Sequence, residues 1–104
     1  MNRITLVGNA TKNPEVRTTA SGKRIAHFVV ASDRGRGSDA TDFLDVEVWG
    51  ELAEQAAALR KGAFIRITGS VRTGSYESSD GSKRKTFVVN ATTIKRYEHA
   101  KAAI

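Results

Sequence analysis

One stretch of this chain departs from the pattern around it, and that departure limits the fold more than any other feature. Glu51 to Lys61 reads Glu-Leu-Ala-Glu-Gln-Ala-Ala-Ala-Leu-Arg-Lys, a run of strong helix formers. Its acids come first and its bases last, which suits the helix dipole. Gly62 follows as a C-terminal stop. Leu52, Ala56 and Leu59 share one face of the predicted helix. The segments before and after it read instead as strands joined by turns and loops.

Arg3 to Asn9 reads as a first strand, with Ile4 and Leu6 on one side. Pro14 interrupts it, and Glu15 to Thr19 is its possible resumption. Ser21-Gly22 is a turn signal. Lys23 to Asp33 is a second strand, rich in Val and Phe, and Arg34 to Asp42 reads as a mobile loop. Phe43 to Trp49 is the third strand. After the helix, Phe64 to Val71 alternates with Ile65, Ile67, Gly69 and Val71 on one side. Ser78-Ser79-Asp80-Gly81-Ser82 has the chemistry of a hairpin tip, and Lys85 to Lys95 is the fifth strand. Five strands with one helix between the third and fourth is the element order of the OB-fold, an all-β Greek-key barrel. Such barrels bind oligonucleotides and oligosaccharides across one face and its loops. Residues 1–97 are expected to form this single domain, with 98–104 as a short tail.

Several functions are disfavoured by what the chain lacks. It has no Cys, so no disulfide, thiolate nucleophile or Cys-based zinc site can form. No apolar run approaches the roughly 18 residues of a membrane helix, and no secretory signal opens the chain. A cytoplasmic, nucleoid-associated protein with no membrane contact is expected. His27 and His99 are far apart; His27 reads as strand packing and His99 as solvated tail. No nucleophile triad, metalloprotease helix or phosphate loop is present. Asp45 and Glu47 share a strand face, but Asp42 has the opposite parity, so no metal cluster is expected. The expectation is a binder without catalysis, cofactor or metal.

Charge and aromatics point to the ligand. The net charge is +6, carried mainly by residues 51–104, with ten Lys/Arg against five Asp/Glu. Basic domains of this size often meet a polyanion. In the third strand Leu44, Val46 and Val48 form the core face. Phe43, Asp45, Glu47 and Trp49 form the wet face. Two large rings on a wet face want a flat partner, and a nucleobase is one. They lie about 20 Å apart along the strand, at roughly 3.3 Å per residue, which suits separate bases. Tyr76 lies in the long hairpin beside Arg72, Lys83, Arg84 and Lys85. Aromatic platforms with a basic track describe sequence-tolerant single-strand binding. Asp45 and Glu47 oppose a phosphate track at the centre of that face.

The ordered residues resemble a known family. Asn2-Arg3-x-x-Leu6-Val7-Gly8, then Pro14-Glu15-x-Arg17, resembles the opening of bacterial single-stranded DNA-binding proteins. Ser21-Gly22 leading into Ala26-x-Phe28 does too. Phe43 to Gly50, Leu52-Ala53-Glu54 and Leu59-Arg60-Lys61-Gly62 resemble the family's third strand and helix. Gly69-x-x-Arg72-Thr73-x-x-Tyr76 with Asp80-Gly81 resembles its fourth strand and hairpin. The similarity covers roughly residues 2–97. It implies an OB-fold that assembles as a homotetramer and holds single-stranded DNA during replication, repair or recombination. It also implies stacking on Phe43, Trp49 and Tyr76, with phosphate contacts from Arg3, Arg17, Lys61, Arg72, Lys83, Arg84 and Lys85.

The chain departs from the family pattern in three places. The loop after the second strand is Arg34-Gly35-Arg36-Gly37, with charge but no ring; a guanidinium of Arg34 or Arg36 can stack in its place. Asp45 and Glu47 stand where the family often has basic or neutral residues. The chain ends at Ile104 without an acidic tip, so tail-mediated recruitment of repair proteins is not expected. The alternative reading is a short accessory OB protein of the primosome type, dimeric and working through protein partners.

Overall fold

The computed structural model describes residues 1–35 and 37–97; residues 98–104, expected to form a short tail and including His99, lie outside the described residues. Seven elements follow one another: β1 (Ile4–Ala10), β2 (Glu15–Thr18), β3 (Arg24–Asp33), β4 (Thr41–Trp49), α1 (Glu51–Ala57), β5 (Phe64–Glu77) and β6 (Lys83–Tyr97). The sheet runs β1-β5-β6-β4-β3-β2, and β1 also pairs with β3. That last pairing closes β1, β5, β6, β4 and β3 into a barrel. One joint is parallel, where Val46 and Glu47 of β4 meet Val89 and Asn90 of β6. The helix lies between the third and fourth barrel strands, as expected for an OB-fold.

The strand count is six rather than five, because β2 is a separate strand. Pro14 has no N–H to give a ladder, and the chain turns there. Glu15 to Thr18 then pair with His27 to Arg24 as an exposed edge on β3, closed by a turn in which Gly22 donates to the Thr19 carbonyl at 2.9 Å.

The alternating apolar residues meet inside. Phe28, Val30, Val46, Val48, Ile65, Ile67 and Val89 are fully buried, with Ala53 and Ala56 of α1 and Leu59 closing one end. Leu44 and Leu52 pack against this cluster half-buried. Two glycines allow the strands to approach. A Cβ on Gly69 would lie 2.1 Å from the Asn90 carbonyl oxygen, and one on Gly8 would lie 2.2 Å from that of Ala31. Gly69 also sits at the bulge where the β5–β6 register shifts, the usual device for bending a barrel strand.

The helix is shorter than its propensity predicts. It ends at Ala57, and the Ala58 and Leu59 amides bond back to Gln55 and Ala56 in tighter three-residue turns. Two bonds pull the following segment onto β1: Gly62 N–H to the Ala10 carbonyl at 2.8 Å, and Ala10 N–H to that of Ala63 at 2.9 Å. Tertiary pairing thus overrides local preference, and Leu59 turns into the core. The basic end still serves the helix terminus: Arg60 Nη1 donates to the Ala57 and Leu59 carbonyls at 3.0 and 2.8 Å.

Both later strands run longer than expected. β5 continues six residues past Val71, to Glu77, and β6 begins at Lys83 rather than Lys85. Their antiparallel register holds from Val71↔Val89 out to Glu77↔Lys83. The tip is the expected Ser78–Ser82, where the Ser78 N–H donates to the Ser82 carbonyl at 2.8 Å.

Candidate nucleic-acid interface

Register places side chains on faces, since directly paired residues project the same way. On β4, Phe43, Asp45, Glu47 and Trp49 project outward, opposite Ala31, Val29, His27 and Ile25 of β3. Through β2 the rows extend to Arg17 beside Ile25 and Glu15 beside His27. Through the parallel joint, Glu47 is beside Asn90 of β6 and then Ser70 of β5. Counting two residues at a time along the hairpin, the same face carries Arg72 with Val88, Gly74 with Thr86, and Tyr76 with Arg84. Phe43, Trp49 and Tyr76 therefore lie on one continuous outer surface, with Arg17, Arg72 and Arg84 around them.

The three rings are open to solvent, with Phe43 67%, Tyr76 55% and Trp49 40% exposed. Trp49 is the most anchored. Ile25, directly opposite, is only 3% exposed. A broad cavity of about 530 Å³ opens beside the Trp49 ring, lined by Lys23, Gly50, Arg72 and Asn90. The Asn90 Oδ1 has no hydrogen-bond partner among the described residues. Lys23 and Asn90 are not legible as site residues in the sequence. They reach Trp49 only through the turn before β3 and the parallel β4–β6 joint, and neither leaves a local signal.

The acids between the rings are partly engaged. The Asp45 Oδ1 lies 3.0 Å from His27 Nε2. His27 is thus on the outer face, half-exposed, rather than packed between strands. Glu47 shares a cleft with Glu15, Arg17, Ile25 and His27. Glu15 is drawn away toward Lys12, whose Nζ donates to it at 3.0 Å and holds its carboxyl below the usual range. The centre of the face is an acidic strip with one imidazole, and the guanidinium groups stand at its margins.

The remaining expected residues fall elsewhere. Arg34 is held by Asp42, with Nε 3.1 and 3.2 Å from its two carboxylate oxygens and Nη2 3.0 Å from one of them. That hydrogen-bonded carboxylate raises the Arg34 pKa. Arg36 lies outside the described residues. Arg3 lines a cavity with Thr68, Ser70 and Thr93, and Lys61 lines one with Arg60, Arg96 and Tyr97; neither borders the Trp49 cavity. Lys83 and Lys85 flank Arg84 in sequence but project from the other side of the hairpin. Phe87, also unmarked from sequence, joins them there and is 46% exposed. Among the described residues no group of three or more His, Asp or Glu is placed to hold a metal ion, and no helix is long and apolar enough to cross a membrane.

Known proteins are similar to this chain in sequence and architecture. Residues 1–97 match the model of the single-strand binding protein family. A single-stranded DNA-binding protein of Clostridium tetani is 41% identical over 94% of this chain and 71% of its own length. One from Thermus aquaticus is 35% identical over 92% of this chain but only 38% of its own length. A crystal structure of a deletion mutant of the Thermus aquaticus single-stranded DNA binding protein superposes with a TM-score of 0.79 at 28% identity, covering 95% of this chain and 42% of that one. With the family's model matched across residues 1–97, over a closed barrel of the same architecture, this chain belongs to the single-strand binding protein family.

Proposed function

We propose that this protein binds single-stranded DNA without reading its sequence, and does so without catalysis. The observation that carries the reading is the single outer face on which Phe43, Trp49 and Tyr76 are all exposed while Arg17, Arg72 and Arg84 border them. Every base has a π-face, so three rings provide affinity without a code, at about 1–3 kcal/mol per stacked base. Arg17, Lys23, Arg72 and Arg84 neutralise phosphates along the margins. The acidic strip then has a role in the path: bases lie over Asp45 and Glu47, and the phosphates keep to the rims where the guanidinium groups are. Arg3 and Lys61 stand off this face and reach only a strand that wraps further around the barrel. Arg34 reaches DNA only by leaving Asp42.

The family relationship supports a homo-oligomer, a tetramer in this reading, that keeps cytoplasmic single strands unpaired during replication, repair and recombination. The test is a titration with oligo-dT followed by tryptophan emission. Trp49 is the chain's only Trp, so its emission falls as bases stack on it. Affinity also falls with salt, with a log–log slope of roughly −0.7 per phosphate neutralised. Unchanged emission at saturating DNA removes Trp49 from the site, and a salt-independent isotherm removes the phosphate track.

A further inference from the structure

The β5–β6 hairpin has a second face. On it Thr73 pairs with Phe87, Ser75 with Lys85 and Glu77 with Lys83. This row continues the barrel interior: two residues inward, Val71 pairs with Val89, which is fully buried. The β-period carries the core row out past the rim, where no part of the barrel covers it. Thr73, Ser75, Lys83 and Lys85 are all exposed, and Phe87 keeps 46% of its surface in solvent. Phe87, Lys85 and Lys83 follow at two-residue steps, about 6.6 Å apart. Among the described residues neither lysine forms an ion pair. Glu77 is the only acid in the row.

We infer that this reverse face is a second stacking platform for single-stranded DNA, with Phe87 taking a base and Lys83 and Lys85 the flanking phosphates. The inference rests on the DNA-binding reading above and extends it: a strand leaving Tyr76 and Arg84 turns over the hairpin edge and returns along Phe87. Charge selects the occupant. A ring beside two ammonium groups suits a polyanion with flat bases, whereas an interface between copies would have to desolvate both charges.

Length dependence tests this. An oligo-dT of about 8 nucleotides falls within the footprint of one OB barrel, and one of about 30 is roughly twice the upper limit for one. Phe87→Ala is expected to leave the short oligonucleotide's affinity unchanged. It should weaken the long one by about 5- to 160-fold, the loss of one stack. Lys83→Gln with Lys85→Gln should reduce the magnitude of the long-oligonucleotide salt slope by about 1.4. A direct probe is Phe87→Trp in a Trp49→Phe background, whose emission should be quenched by the long strand and not by the short one.

Unchanged long-strand affinity in the first two variants, while the parent's Trp49 is still quenched, overturns the second platform and leaves the first intact. Absence of quenching in the parent overturns the underlying reading instead. A fall in molar mass on Phe87→Ala, measured without DNA, identifies the face as a contact between copies and also overturns the proposal.

Discussion

The barrel and the hairpin that extends from it are built from the same two strands, yet they are held together differently. Inside the rim, Ile65, Ile67 and Val89 are sealed from water, and Gly69 lets β5 press onto β6 closely enough to exclude a methyl group. Outside it, from Arg72 to Phe87, nearly every residue is exposed on both faces. There the pairing rests on the backbone ladder and a polar tip alone. A two-stranded ribbon is marginal in isolation, so the barrel is what fixes its root. The hairpin can therefore devote its side chains to a ligand, because the fold requires so little of them.

The contrast is broken most directly by paired truncations. Phe28→Ala, which empties a fully buried site in the barrel, should cost about 3–5 kcal/mol in urea denaturation. Tyr76→Ala on the hairpin should leave stability within about 0.5 kcal/mol, while costing about 1–3 kcal/mol of DNA binding. Equal losses of stability from the two would show that the hairpin is part of the cooperative core. Trp49, at the end of barrel strand β4, combines a packing role with a ligand-facing one. It is exposed enough to stack, yet lies across from the 3% exposed Ile25. Trp49→Ala is therefore expected to lower both stability and affinity, and a loss confined to one assay would place the ring wholly in one role.

Barrel and hairpin also differ in how openly the sequence announced them. Val46 and Val48 alternate with Asp45 and Glu47, and that clean period placed both faces of β4 correctly. The helix was visible as propensity, but its end was not, because the bonds that join Ala10 to Gly62 and Ala63 are made between residues distant in the chain. His27 was misplaced for a different reason. Ala26, Phe28 and Val30 point inward and Val29 and Ala31 outward, so both parities of β3 are apolar and the pattern does not choose a face. The hairpin's true length was hidden too, since Arg-Thr-Gly-Ser-Tyr is polar on both sides and carries no period. Of the candidate site, the rings were legible as exposed aromatics out of place. Lys23 and Asn90 were not, because the joints that bring them to Trp49 are long-range.

Acidification should separate the two regions at the hairpin tip. The Asp80 carboxylate accepts hydrogen bonds from the Ser78 hydroxyl, the Ser82 hydroxyl at 2.7 Å and the Ser82 N–H at 3.0 Å. The Ser78 bond is the leading cause, and together they pull its pKa from 3.8 to about 2. All three donors favour the ionised form. Because the folded pKa is depressed, the contribution is complete above 3.8 and disappears as pH falls from there through about 2. At neutral pH the tip is fully held. On acidification, exchange protection of the Ser82 amide should fall in that window, tracking protonation of Asp80 in a carbon-detected titration. Asp80→Asn should show the unprotected tip already at neutral pH while the melting temperature stays where it was. An Asp80 that titrates near 3.8 would mean that the serine cage is not formed in solution. Barrel amides such as those of Val46 and Ile67 losing protection in step with Ser82 would join the tip to the core, and the division between a self-sufficient barrel and a loosely held hairpin would fail.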